Sequence, residues 1–375
     1  MSPTETDGLE STAPMRDRVS DYTVVDVDVH EQVSMSEFRP YLEEPWASRI
    51  EHLVRTDEPI KQSFVGSLPF ELDPVPGGAL PEGVSPSTPG GMQQFMEFMN
   101  TDYVLLHGEK MLGVSRIPER EFAMALCRAY NDFVLEEFTD DNDGLKSTIW
   151  VPPQAPRQAA EEIDRLADEK DMVGVHVTCA TNEWLLGNSY YDPLFRAAAD
   201  AGLPVTYHPG YPSNQWAGEY GAPGTLQSSV ADRTAGFSQQ IMSQVASLVY
   251  QGVPERYPDL EHVFLEAGVT WIPWMLGRLD KNYDRRGHQL EWLETRPSES
   301  VKDLFYFDTQ PLEDPAGDRN LRRIFRGMDA EDLLMYSSDY PHFDVDYPSV
   351  LAIPKMSDRV ERAIFGGNAL EVFDV

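Results

Sequence analysis

The chain has 375 residues, 41% of them hydrophobic, which is enough for a substantial core and excludes wholesale disorder. Thirty basic residues against 63 acidic ones give a formal charge of -33 and a sequence pI near 4.4. Such a surface repels phosphate backbones and anionic lipid heads, which argues against nucleic-acid or membrane partners. The acids are scattered, and there are only seven lysines beside 23 arginines. This is an acidic surface of halophilic type, whose self-repulsion high salt would screen. Cys127 and Cys179 are too few for a disulfide framework and read as small buried hydrophobes in a reducing compartment. No apolar run reaches membrane-spanning length, and residues 1–20 lack the hydrophobic core of a signal peptide. They read as a disordered arm, and a cytoplasmic protein is expected.

The first strand is expected in "YTVVDVDVHEQ", Tyr22 to Gln32, where β-branched valines suit a pleated surface. Alternation would put Asp26, Asp28 and His30 on one face and the valines on the other. Residues 33–56 read as helix broken at Pro45, and 60–91 as a long Pro/Gly-rich insertion, a loop or lid. From Met92 onward helical and strand-like runs alternate. Strand-like runs begin near residues 23, 103, 147, 173, 204, 262, 304 and 333, eight in all. Near-continuous apolar strands in regular β–α alternation imply a parallel sheet covered on both faces. Eight repeats predict one α/β domain over 21–375, a single (β/α)8 TIM barrel with its long insertion after strand one. No Gly-rich phosphate fingerprint follows any strand, which argues against a dinucleotide fold.

Active sites in such barrels lie at the C-terminal strand ends. Strand one ends in Asp28 and His30, strand five in His208, strand six in Glu266, and strand eight in Asp339 with His342 close behind. Imidazoles and carboxylates converging on one mouth fit a divalent metal, Zn or Mn, because buried carboxylates need a compensating cation. Each residue taken singly has a structural alternative, a helix cap for an aspartate or a hydrogen-bonded core position for a histidine. Coincidence at four strand ends favours the metal. For His176, inside "GVHVTC", the core reading is preferred over substrate contact. His52, His107, His262 and His288 are placed in helix or loop contexts as ordinary residues. His342 is placed behind the ligands or on the surface. Arg278 is a weak candidate for gripping a substrate carboxylate, with a helix-surface pair to Asp280 preferred. Trp271 and Trp274 could line the pocket, although helix packing is the commoner use of such spacing.

The ordered motifs D-x-D-x-H, "GLPVTYHPG", "YPDLEHVFLEAGVTWIPWMLGRLD" and "YSSDYPHFD" resemble the amidohydrolase-related metal enzymes. The similarity is to the branch holding aminocarboxymuconate-semialdehyde and γ-resorcylate decarboxylases, and it spans residues 22–375. The resemblance implies a (β/α)8 barrel with one divalent ion held by Asp28, His30, His208 and Asp339, with Asp26 orienting a ligand from behind. It also implies a catalytic histidine at strand six, where this chain has Glu266 instead. A carboxylate there can act as a base or orient water. The function expected is metal-dependent decarboxylation of a small aromatic or unsaturated acid, with Asp339 as proton shuttle and Glu266 assisting. Hydrolysis of a small amide, ester or lactone is the alternative, and a non-catalytic metal-binding barrel the minor one. The partners expected are a small-molecule substrate and, as an allowed assembly, a homodimer.

Overall fold

The computed structural model describes residues 18–56, 83–180, 184–210, 232–313, 318–342, 345 and 353–375. Eight strands form one sheet in sequential order, β1 (Val25–Glu31), β2 (Tyr103–Gly108), β3 (Leu145–Trp150), β4 (Met172–Thr178), β5 (Val205–His208), β6 (His262–Phe264), β7 (Phe305–Asp308) and β8 (Leu334–Met335). Every neighbouring pair is parallel. The ring closes where the chain after β8 returns to β1: Val27 N–H donates to Tyr336 O, His30 N–H to Tyr340 O, and Asp339 N–H to Asp28 O. This is the expected (β/α)8 barrel, with β1 buried at all of its positions.

The covering helices include α1 (Trp46–Thr56), α2 (Pro89–Met99), α3 (Arg120–Val134), α4 (Pro156–Leu166), α5 (Asp192–Ala201), α6 (Phe237–Tyr250), α7 (Ile272–Arg286), α8 (Pro297–Leu304) and α9 (Asp318–Met328). A closing helix, α10 (Asn368–Phe373), is anchored by Asn368, whose amide donates to Glu331 O and Leu334 O. Most of the insertion expected over 60–91, and most of the arm expected over 1–20, lies outside the described residues. At the insertion's end Pro89–Gly91 are helical, because Thr88 Oγ1 caps Gly91 N–H at 3.1 Å and Pro89 fits the first turn of α2. Residues 18–20 are described too, with the Arg18 guanidinium bonded to Glu361 at 2.7 and 3.1 Å.

The alternation expected through β1 does not run unbroken. Pairing with β2 slips between Asp26 and Val29, as at a β-bulge. Val25 and Val27 consequently join a small cluster with Leu105, Val263, Leu265, Met335 and Phe373, whereas Val24 and Val29 join the main core. The valines therefore serve two different packing layers. His107 and His262 also depart from expectation: they lie inside β2 and β6, not in helix or loop, and both are fully buried. His52 and His288 are exposed on helical turns.

Candidate metal centre

Asp28 and His30 come from β1, His208 is the last residue of β5, and Glu266 follows β6. Asp339 stands beyond β8, clamped beside β1 by its backbone bond to Asp28 O. All five are 2% exposed or less, which removes the water that would otherwise compensate their charge. His30 Nε2 lies 3.4 Å from Asp28 Oδ1 and 3.2 Å from Asp339 Oδ1. His208 Nε2 lies 3.8 Å from Asp28 Oδ2 and 3.3 Å from Glu266 Oε2. Both oxygens of Asp28, both nitrogens of His30, His208 Nε2 and Asp339 Oδ2 have no hydrogen-bond partner. Buried polar atoms are almost always paired, so this concentration marks a place built for a guest.

Hydrogen bonding decides which nitrogens can meet a cation. His208 Nδ1 is 2.7 Å from Pro209 O, and a carbonyl cannot donate, so Nδ1 carries the hydrogen and Nε2 presents a lone pair. His107 is the reverse: Nε2 donates to Val27 O at 3.0 Å, which removes that nitrogen as a ligand although it is 3.9 Å from Asp28 Oδ1. His342 has carboxylates at both ends, Asp339 Oδ1 at 2.6 Å from Nδ1 and Glu109 Oε2 at 2.9 Å from Nε2. Both nitrogens therefore donate, and the ring is an imidazolium bridging two acids. Two groups of donors lie close enough to share an ion, Asp28–His30–His208 and His30–Asp339–His342. Removing His342 by this argument leaves Asp28, His30, His208 and Asp339 as a set of two imidazoles and two carboxylates that fits a divalent ion.

The electrostatics follow from burial. It pushes the Asp28 carboxyl well above its ordinary range, and the negative charges of Asp339, Asp308 and Glu266 push the same way. Burial holds His208 well below the usual imidazole value, so its lone pair is available at neutral pH. For His342 burial opposes charge, but the attraction of Asp339 and Glu109 wins and raises it well above. Burial likewise opposes ionisation of Glu109 and Asp339, yet His342 holds Glu109 down to about 2 and Asp339 well below its ordinary value. Asp26 is pushed up to about 7 by burial. Its Oδ1 accepts from Ser338 N–H at 2.9 Å and Asp28 N–H at 3.5 Å, bracing the backbone beside both aspartates.

The remaining candidates separate. His176 stacks on Trp150 at 3.9 Å, and Nδ1 is 2.9 Å from Thr206 Oγ1. It lies in the barrel interior, its ring centre 6.1 Å from that of His208, outside the donor groups. Trp271 is packed, with its indole N–H on Ala267 O and its ring edge-on to Phe307. Trp274 is 60% exposed. Arg278 is exposed on α7 as well, and its expected partner Asp280 is taken by Arg296 and Ser298. Two residues that sequence reasoning passed over belong to the centre. Glu109 follows β2 and faces His342 and, at 3.9 Å, His30 Nδ1. Asp308 ends β7 and accepts from Glu266 N–H at 3.2 Å and Ser337 Oγ–H at 2.6 Å. Both are acids at strand ends, the same signal that picked out Asp339.

The amidohydrolase family model matches residues 108–375. The chain belongs to the amidohydrolase family. The matched segment carries His208, Glu266 and Asp339, and the geometry adds Asp28 and His30 from β1, ahead of that segment. Among curated amidohydrolase relatives, a γ-resorcylate decarboxylase of Rhodococcus jostii is 29% identical over 254 residues, covering 62% of this chain and 71% of its own. The solved 5-carboxyvanillate decarboxylase of Sphingomonas paucimobilis superposes with a TM-score of 0.70 at 21% identity, covering 94% of this chain and 99% of its own. The enzyme of that name from Novosphingobium aromaticivorans, solved with manganese and 4-hydroxy-3-methoxy-5-nitrobenzoic acid, has a TM-score of 0.67 at 17% identity over the full length of both chains. These amidohydrolase relatives are decarboxylases. Among the described residues of this chain no helix is long and apolar enough to cross a membrane.

Proposed function

We propose that this chain is a divalent-metal-dependent decarboxylase of a small aromatic or unsaturated carboxylic acid. The observation that carries the reading is the set of partnerless buried donors of Asp28, His30, His208 and Asp339 at the barrel mouth. The names of the relatives supply the reaction class. A bound ion, manganese or zinc, would supply a fixed positive charge for the oxygen substituents of the substrate. Manganese in the Novosphingobium neighbour supports the first of these. A barrel that had lost turnover would be expected to lose its donors singly, and here all four remain.

The chain's own residues account for the proton. Decarboxylation breaks the bond between a carbon and its carboxylate and forms a bond from that carbon to hydrogen, so one proton must be delivered as CO2 leaves. Asp339 is ionised at rest, its Oδ1 tied to His342 and its Oδ2 without a partner. It can deliver a proton only after accepting one, and the balanced source is an acidic group of the incoming substrate. His342 and Glu109 hold the Asp339 carboxylate in place during both transfers. His30 and His208 would spend lone pairs on the ion and so take no part in the proton transfer. Burial of the site's acids and imidazoles, each 2% exposed or less, keeps bulk water from the exchange.

Glu266 favours a second reading, hydrolysis of an amide, ester or lactone, because a strand-end carboxylate can serve as base toward water. Incubating the metal-loaded protein with a panel of hydroxybenzoates and unsaturated acids, and separately with lactones and amides, tests the choice. CO2 release matched by decarboxylated product is expected, and turnover confined to the lactones and amides would overturn the decarboxylase. We also place the protein in the cytoplasm, which the two buried unpaired thiols support. Association as a homodimer is proposed too. Light scattering during gel filtration reads that mass.

A further inference from the structure

Glu266 and Asp339 share a backbone device. Each is a non-glycine residue in the left-handed region, with φ of 47° and 58°. That conformation is uncommon for side chains and rarer for glutamate than for aspartate, and where it persists in a buried site the side chain's position is the usual reason. In both cases the turn directs a buried carboxylate toward a histidine of the metal set. Asp339 Oδ1 comes within 3.2 Å of His30 Nε2, and Glu266 Oε2 within 3.3 Å of His208 Nε2. The second approach is not a hydrogen bond, since His208 Nε2 has no hydrogen-bond partner although Glu266 Oε2 stands 3.3 Å away. His208 has its hydrogen on Nδ1, spent on Pro209 O, so the nitrogen facing Glu266 is a lone pair with no hydrogen-bond partner, on a side chain 1% exposed. A carboxylate oxygen and a nitrogen lone pair repel unless a proton or a metal ion sits between them, and Asp28 Oδ2 converges on the same nitrogen from 3.8 Å, which brings two acids and one imidazole to a single point. Asp308 keeps the arrangement in place, since its Oδ2 accepts the Glu266 N–H and is itself held by Ser337.

We infer that Glu266 is a further protein ligand of the ion and that its carboxylate tilts the centre toward manganese over zinc. The inference rests on the metal-dependent reading above and deepens it. With Glu266 the donor set becomes three carboxylates and two imidazoles, a harder set with more ligands than four-coordinate zinc requires. It also occupies the carboxylate that hydrolysis would use as a base. The resemblance places a histidine at this strand end, so the substitution to glutamate changes what the centre selects.

The test is metal affinity, read by competition of the metal-stripped protein against a chromophoric chelator, without substrate. Wild type, Glu266→Gln and Glu266→Asp are titrated with Mn(II) and with Zn(II), and circular dichroism checks each fold. Glu266→Gln is expected to weaken Mn(II) binding at least ~10-fold and Zn(II) binding by less. Equal affinity of wild type and Glu266→Gln for both ions would overturn the inference. If the glutamine variant does not fold, Glu266→Asp carries the test: weakened Mn(II) binding is expected from its shorter reach, and unchanged binding overturns. A wild-type protein that binds neither ion would overturn the proposed function itself, a result distinct from the loss of this one ligand.

Discussion

Replacing His342 by leucine should unfold the metal-free barrel several degrees early. The imidazolium is 1% exposed and donates to Asp339 at 2.6 Å and to Glu109 at 2.9 Å. Leucine matches its bulk and donates nothing, so two buried carboxylates lose their shared counter-charge. Breaking a buried ion pair by removing one partner costs about 3–5 kcal/mol, most of it from the charge left behind. Unfolding entropy near 2.1 cal/mol/K per residue gives about 0.8 kcal/mol/K for a chain of 375 residues. The melting temperature should therefore drop by about 4–6 °C. Differential scanning calorimetry of the stripped protein reads this directly. The double variant His342→Leu/Glu109→Leu should recover part of the loss, because one stranded acid is gone. A drop of under about 1 °C, or a double variant as unstable as the two single losses summed, would refute the bridging imidazolium.

Three further outcomes concern the metal donors, the Arg18–Glu361 pair and the surface charge. Asp28→Asn should leave less than one ion per chain by mass spectrometry of metals and cut turnover at least ~100-fold, since it removes an anionic donor facing both histidines. For Glu361, burial pushes the carboxyl up but the bonds and charge of Arg18 hold it below its ordinary value. A depressed acid contributes stability above its unfolded pKa, about 4.3, and loses it as the pH falls through the folded value. The melting gap between wild type and Arg18→Ala should thus be constant near neutrality and narrow below about pH 4, leaving the part due to the Arg18 bonds to Ile353 O and Pro354 O; a gap that widens in acid would contradict the pairing. The charge of -33 predicts that raising KCl from about 0.1 to 2 M increases the melting temperature, and a decrease would count against a salt-adapted surface.

The barrel was legible because its signal is local. Each strand run carries its own apolar pattern, and all eight starts agree with the structure within a few residues. The strand-end rule located Asp28, His30, His208, Glu266 and Asp339, which the structure brings together. The same rule applied to "VLLHGEK" and "FYFDTQ" would have found Glu109 and Asp308, whose acids also follow apolar strands. What the pattern could not give is set by contacts between distant strands. That His342 is a bridging cation depends on Glu109, far away in the chain, and that His107 is no ligand depends on a carbonyl of β1. The slip in β1 was illegible for a similar reason, since a bulge is decided by pairing with β2 rather than by the valines themselves.

The most direct measurement pairs metal content with product on one preparation. The purified protein should contain about one manganese or zinc ion per chain and release CO2 from an aromatic or unsaturated acid. Chelation should abolish that release, and adding the ion back should restore it. CO2 release that survives complete removal of the metal, or turnover seen with lactones and amides alone, would contradict the account.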